Sequence, residues 1–210
     1  MLAPKIAIAI ITVCFLVGFP ILANAEYTQN IEIRLISDTF YFGEKLDYMI
    51  FVSEITGEDA IIYIIDTAGV KSRLFSTPIS QEETRVIAPI GFDSVIWNEG
   101  KYLLELEYSG FTSKTDFTII DDGSIGIPYW IKDVAKLWIT NQIPDKEYAK
   151  SIQYLIKQEI LNSTPGDNLQ IPEWVKFTTG WWAYGQITDT TYANAIQFLI
   201  DDKILVVVYE

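Results

Sequence analysis

Ile127-Pro128-Tyr129-Trp130-Ile131-Lys132 is answered 44 residues later by Ile171-Pro172-Glu173-Trp174-Val175-Lys176, and the agreement continues without a gap. Trp138 returns as Trp182, Gln142-Ile143-Pro144-Asp145 as Gln186-Ile187-Thr188-Asp189, and Tyr148-Ala149 as Tyr192-Ala193. The strongest block, Ile152-Gln153-Tyr154-Leu155-Ile156, meets Ile196-Gln197-Phe198-Leu199-Ile200. Ile160-Leu161 and Ile204-Leu205 close the two units. Residues 127–161 and 171–205 are therefore an internal duplication.

Within each copy the pattern is helical. Pro128 and Pro172 suit a first helical turn, where a missing N–H costs nothing. Trp130, Val134, Leu137 and Trp138, with Trp174, Thr178, Trp181 and Trp182 in the second copy, recur at spacings of three, four and seven. Such spacings predict one buried face. Asp145 and Asp189 are expected as N-caps of a second helix that buries Tyr148, Ile152, Leu155 and Ile156, or Tyr192, Ile196, Leu199 and Ile200. Each copy thus reads as a helical hairpin, and the two copies are expected to pack into one four-helix body. Gln153 and Gln197 lie inside the most apolar block, so their amides need partners, with an indole N–H or a helix end expected.

Upstream, residues 30–119 have period two. Ile31, Ile33 and Leu35 alternate with Glu32 and Arg34, and Leu46, Tyr48, Ile50 and Val52 follow the turn-like Phe42-Gly43-Glu44. Further strands are read at 60–66, 70–75, 84–88, 102–108 and 111–119. Ser109-Gly110 supplies the positive φ of a tight hairpin between the last two. About seven short strands in roughly 90 residues describe an antiparallel sandwich. In Trp97-Asn98-Glu99-Gly100-Lys101-Tyr102, the phenol is placed to return its hydroxyl to the preceding loop as a tyrosine corner, in preference to a Trp97/Tyr102 sugar-stacking platform. Glu105 and Glu107 share one face of their strand; as an exposed pair they read as solvating charges ahead of a glycosidase pair.

The 210 residues open with Lys5, an apolar run from Ile6 to Leu22, and Ala23-Asn24-Ala25 before Glu26. These are the parts of a secretory signal peptide over 1–25, cleaved between Ala25 and Glu26, with a retained N-terminal membrane anchor as the alternative. The only cysteine, Cys14, lies in that run, so the exported chain has neither thiol nor disulfide and depends on packed cores. There is no histidine, which removes Ser-His-Asp and Cys-His triads and imidazole metal sites. No catalytic, cofactor or metal site is expected; Asp121-Asp122 and Asp201-Asp202 are too short to be one. The formal charge of −13 becomes −14 without the leader, which holds Lys5 and no acid. Such a body is repelled by nucleic acid and by anionic lipid. The reading divides as leader 1–25, sandwich 26–120, linker 121–126, first repeat 127–161, loop 162–170, second repeat 171–205 and tail 206–210. The polar, glycine-rich linker is expected to leave some freedom.

Two resemblances rest on these residues. Phe40-Tyr41-Phe42-Gly43-Glu44-Lys45-Leu46, Ile64-Ile65-Asp66-Thr67-Ala68-Gly69, Trp97 to Tyr102 and Phe117-Thr118-Ile119 resemble the immunoglobulin-like sandwich of archaeal secreted and cell-surface proteins. The Ile-Pro-x-Trp-Ile/Val-Lys, Trp, Ile-x-Asp and Ile-Gln-Tyr/Phe-Leu-Ile series resembles a repeat of secreted proteins of ammonia-oxidising archaea. The tandem tryptophan of that repeat stands as Trp181-Trp182 here and as Leu137-Trp138 in the first copy. The resemblances imply an immunoglobulin-like sandwich followed by an all-α duplicated helical-hairpin domain and a spacer or adhesive role, and they bring no established catalytic role with them.

The expected function is that of an exported, acidic, non-enzymatic surface or envelope protein that contacts other envelope proteins. Membrane attachment would come only from an uncleaved leader. Tyr129, Trp181 and Tyr184 are the candidate contact residues. Asn162-Ser163-Thr164 is the candidate glycosylation acceptor. Glycan binding by the same aromatics is the alternative, and a carboxylate-based hydrolase or its accessory subunit a third.

Overall fold

The computed structural model describes residues 29–164 and 166–208; the expected leader, its Ala25/Glu26 junction and Cys14 lie outside the described residues. The strands are β1 (Ile31–Leu35), β2 (Thr39–Tyr41), β3 (Lys45–Val52), β4 (Asp59–Ile65), β5 (Lys71–Pro78), β6 (Glu83–Gly91), β7 (Gly100–Tyr108) and β8 (Phe111–Ile120). They form two sheets, β1-β3-β6 and β2-β8-β7-β4-β5. All pairings are antiparallel except that of β2, which runs parallel to the end of β8.

Period two decides which side chains face the middle. β3 turns Leu46, Tyr48, Ile50 and Val52 inward, β7 turns Tyr102, Leu104, Leu106 and Tyr108 inward, and Phe117 and Ile119 of β8 complete the layer. The result is a β-sandwich. Its first strand is split between the sheets, β7 lies between β8 and β4, and β3 lies between β1 and β6, which is the immunoglobulin-like order. The tyrosine corner forms: the Tyr102 hydroxyl donates to the Asn98 carbonyl at 2.9 Å and accepts from the Asn98 N–H at 3.1 Å. Ser109 and Gly110 both have positive φ, 48° and 81°, as the two-residue turn between β7 and β8 requires.

Four helices follow: α1 (Tyr129–Ile139), α2 (Asp145–Lys157), α3 (Val175–Ala183) and α4 (Asp189–Asp201). α1 packs on α3, while α2 leans on α1 and α4 on α3. The duplication is visible in the helix ends. Asn141 and Gly185, at equivalent positions, adopt left-handed φ of 58° and 75°. The next N–H then returns to a carbonyl five residues back, Gln142 to Leu137 at 2.8 Å and Gln186 to Trp181 at 2.7 Å. The buried faces are Ile131, Ala135 and Trp138, and Val175, Thr179 and Trp182. That corrects the face expected from the sequence by one residue, because Trp130, Leu137, Trp174 and Trp181 are exposed. Among the described residues no helix is long and apolar enough to cross a membrane.

The expected fold class is also corrected. In place of a sandwich followed by an all-α four-helix domain, the described residues are mostly β, eight strands in two sheets, with four short helices of 9 to 13 residues. Helices this short do not enclose a core by themselves. Extended segments finish it: Ile127, Leu161, Leu205 and Val207 are buried among the helices, and Gln170 pairs with Val206 in an antiparallel bridge.

The expected linker freedom is not what forms at its far end. Ser94 N–H donates to the Gly126 carbonyl at 3.3 Å on the sandwich side. On the helical side, Ile125 N–H donates to Thr190 Oγ1 and Ile127 N–H to Asp189 Oδ2, both at 2.9 Å. Gly126 is required by close approach: a Cβ there would stand 2.7 Å from Asp93 Cα and 3.0 Å from Gly43 N, and neither backbone atom can step aside cheaply. Gly126→Ala is expected to destabilise the protein by about 1–3 kcal/mol and to open the 121–126 segment to limited proteolysis. Unchanged cleavage and an unchanged denaturation midpoint would show that the seam is not tight.

Candidate functional site

The seam is organised around one carboxylate. Asp189, in the first turn of α4, accepts the Trp182 indole N–H at 2.7 Å on Oδ1, where Lys132 Nζ also arrives at 2.7 Å, and the Ile127 N–H at 2.9 Å on Oδ2. The expected N-cap role is corrected. Thr188 is the cap, its hydroxyl accepting the Thr191 N–H at 3.1 Å, while Asp145 and Asp189 follow the cap position and turn back to the indoles. Trp138 donates to Asp145 at 2.8 Å in the first copy.

The two copies complete each other. Trp138 stacks on Tyr148 with ring centres 3.8 Å apart, Trp182 stacks on Tyr192 at 4.0 Å, and the two phenol hydroxyls bond to each other, with Thr179 Oγ1 at 3.3 Å from Tyr148. Burial pushes the Tyr148 phenol up to about 12 and the Tyr192 phenol well above its usual value, so both remain protonated. Lys132 of the first copy lies over the Trp182 ring at 5.2 Å, and Lys176 of the second lies over Trp138 at 5.4 Å. The copies differ in where these ammonium groups end: Lys132 on Asp189, Lys176 on Asn141 Oδ1 (2.5 Å) and Glu173 (3.0 Å). Neither Gln153 nor Gln197 reaches an indole, and only Gln197 touches a helix end, donating to Asp201 Oδ1 at the end of α4 at 2.8 Å. Gln153 donates to the Val208 carbonyl, and Gln197 brackets the Asn162 backbone, accepting its N–H at 2.7 Å and donating to its carbonyl at 2.9 Å. Asn162 itself is exposed on this pinned loop.

Across the seam Asp93 is buried, its Oδ1 accepting the N–H groups of Val95 (3.1 Å) and Ile96 (2.9 Å). Burial pushes its carboxyl up, those two hydrogen bonds pull it down, and the Asp189 charge adds to the rise. A carboxyl raised above its unfolded value holds its proton more readily when folded. Its contribution therefore improves as the pH falls through the folded value and is lost above it. Asp93→Asn keeps the accepting oxygen and removes the charge. The variant is expected to match or exceed the parent midpoint at pH 7 and to lose its advantage near pH 4; a lower midpoint at pH 7 would contradict this.

An open cleft of about 1320 Å³ lies between the sandwich and the helices. Its sandwich wall is the Phe42–Lys45 turn and the Ile90 end of β6; its helical wall is Tyr129, Lys132 and Lys136 of α1 and the loop from Tyr184 to Asp189. Two of the three candidate contact residues, Tyr129 and Tyr184, are brought together here, both exposed, while Trp181 stands apart on the outer face of α3. The sugar-stacking platform does not form, since Tyr102 is buried and Trp97 packs edge-on against it at 5.5 Å. Nor are Glu105 and Glu107 an exposed solvating pair. Glu105 is buried under Lys71 (2.6 Å) and Lys114 (2.8 Å), and hydrogen bonds from those two ammonium groups hold its carboxyl below the usual range. Such a group does not donate a proton at neutral pH.

Sequence reasoning missed Lys132, Asp93 and the indole bonds. One signal was available: the Trp-to-Asp spacing of seven is kept in both copies, 138 to 145 and 182 to 189.

No family model matches the chain, and no curated protein matches it. Among solved structures it is similar to the PKD domain of an M14-like peptidase from a Thermoplasmatales archaeon, at 13% identity and TM-score 0.25 over 43% of this chain and 91% of that one. It is also similar to a marsupial T cell receptor, at 14% identity and TM-score 0.27 over 45% of this chain and 54% of that one. The immunoglobulin-like assignment rests on the strand order and the tyrosine corner described above.

Proposed function

We propose that the chain is an exported, non-enzymatic protein of the cell surface or envelope, acting as an interaction module that holds a partner protein in the cleft between sandwich and helices. The seam carries this reading. Gly126, Asp189 and Thr190 fix the cleft's two walls against each other, so a partner meets a preformed surface and its binding loses less to ordering. The walls offer what protein contacts use: exposed Tyr129 and Tyr184, the apolar Ile90, and ammonium groups at Lys45 and Lys136. The state of Glu105 supports the non-enzymatic part, because a carboxylate held down by two lysines is unsuited to act as the acid of a hydrolytic pair.

The test is affinity capture with immobilised residues 26–210 from a native envelope extract, beside a variant carrying Tyr129→Ser and Ile90→Ser, one from each wall. The reading requires a single identified protein that is captured by the parent and lost from the variant. Equal capture by both, or capture of nothing, overturns it.

A further inference from the structure

α3 is apolar on two opposite faces. Val175, Thr179 and Trp182 point into the core, and on the other side Trp174, Phe177, Trp181 and Tyr184 are 48%, 70%, 54% and 63% exposed. Their spacing of three, four and three confines them to an arc of roughly 80° at 100° per residue, and Trp174 itself has helical φ and ψ of −65° and −17°. A surface helix ordinarily turns polar residues outward, and an outward face made of four aromatics implies a second apolar environment. Packing of the repeat does not demand the ridge. The equivalent positions of the first copy are Trp130, Asp133, Leu137 and Thr140, where a charge and a hydroxyl interrupt the row.

We infer that this ridge seats on the interface of a neutral, zwitterionic lipid bilayer. Three of its four side chains are Trp or Tyr, whose rings join an apolar body to a polar edge and settle at headgroup depth, while Phe177 supplies the deeper apolar contact. Charge selects the surface. Glu173, beside the start of the ridge, pairs with Lys176 at 3.0 Å, and residues 175–183 hold no other charge in a chain with 28 acidic residues. The ridge is thus locally near neutral, although the net charge of −13 opposes anionic membranes and also a second, equally charged copy of the chain. This contact does not need the leader; it shares Tyr184 with the rim of the cleft, and it would set the molecule's orientation on the membrane.

The experiment is co-sedimentation of residues 26–210, which contain both cores, with phosphatidylcholine vesicles, read together with tryptophan emission. The expected result is binding at submillimolar lipid with a blue shift, at least a tenfold weaker interaction for Trp181→Ser with Phe177→Ser, and no change for Leu137→Ser on α1. Adding phosphatidylglycerol to the vesicles is expected to weaken binding. Circular dichroism confirms that the variants fold, which exposed positions permit. Protein left in the supernatant at all lipid concentrations overturns the inference, as does binding indifferent to the double substitution. A dimer in sedimentation velocity that the double substitution dissolves, with no vesicle binding, also overturns it and assigns the ridge to self-association.

Discussion

Asp189→Ala is expected to remove about 3–5 kcal/mol of folding stability, against about 1–2 kcal/mol for Asp145→Ala at the equivalent position of the first copy. Both carboxylates accept an indole N–H at nearly the same distance, 2.7 and 2.8 Å. Only Asp189 also neutralises Lys132 and receives the Ile127 N–H, so its loss leaves a partly buried ammonium and two buried donors without partners. Urea denaturation of residues 26–210 measures the difference, and equal losses at the two positions would refute the account. A Lys132→Met, Asp189→Leu pair is expected to recover only the part of the loss due to the charge left behind, because the Trp182 indole and the Ile127 N–H remain without an acceptor.

Trp182→Ala is expected to cost about 3–5 kcal/mol, whereas Trp181→Ala, one residue earlier, should lie within about 0.5 kcal/mol of the parent. Trp182 is fully buried, stacked on Tyr192 and covered by Lys132; its neighbour points away from the core. Thermal and urea denaturation of the two variants therefore reads the orientation of α3 directly. Similar losses would show that the assigned buried face is wrong.

The tandem tryptophan also explains one limit of the sequence. With apolar residues at 130, 131, 134, 135, 137 and 138, a period near 3.6 fits two faces one residue apart. The frame containing Trp130 and Leu137 looked as regular as the true one containing Ile131 and Ala135. Period two in β1 and β3 had no such degeneracy, because Glu32, Arg34, Asp47 and their neighbours mark the outer face, whereas the continuous apolar run 60–65 of β4 did not show which side chains turn inward; the tyrosine corner was legible from its Gly100-Lys101-Tyr102 context. β2 was less visible, being three residues long and paired only at its parallel edge with β8.

In the candidate site, Tyr129 and Tyr184 could be named from sequence, but nothing local told that they share a cleft while Trp181 does not. That depends on how the seam sets the helices against the sandwich. Gly126 misled for a related reason. Glycine in a polar stretch signals freedom or close approach with equal force, and only the neighbouring Asp93 and Gly43 backbones decide which. Asp145 and Asp189 occupied plausible cap positions, and their turn toward the indoles is a tertiary choice.

Each copy stacks its own tyrosine on its indole, but the crossing of Lys132 to Trp182 and of Lys176 to Trp138 means that the lysine cover comes from the other copy. A polypeptide with one copy would present a tryptophan without its lysine cover, a phenol lacking its hydroxyl partner and a lysine with no indole beneath it. It would find all three complements only on another molecule like itself. Tandem fusion turns that encounter between molecules into one within a molecule, at an effective concentration set by the intervening loop, so the pairing survives any dilution of the protein.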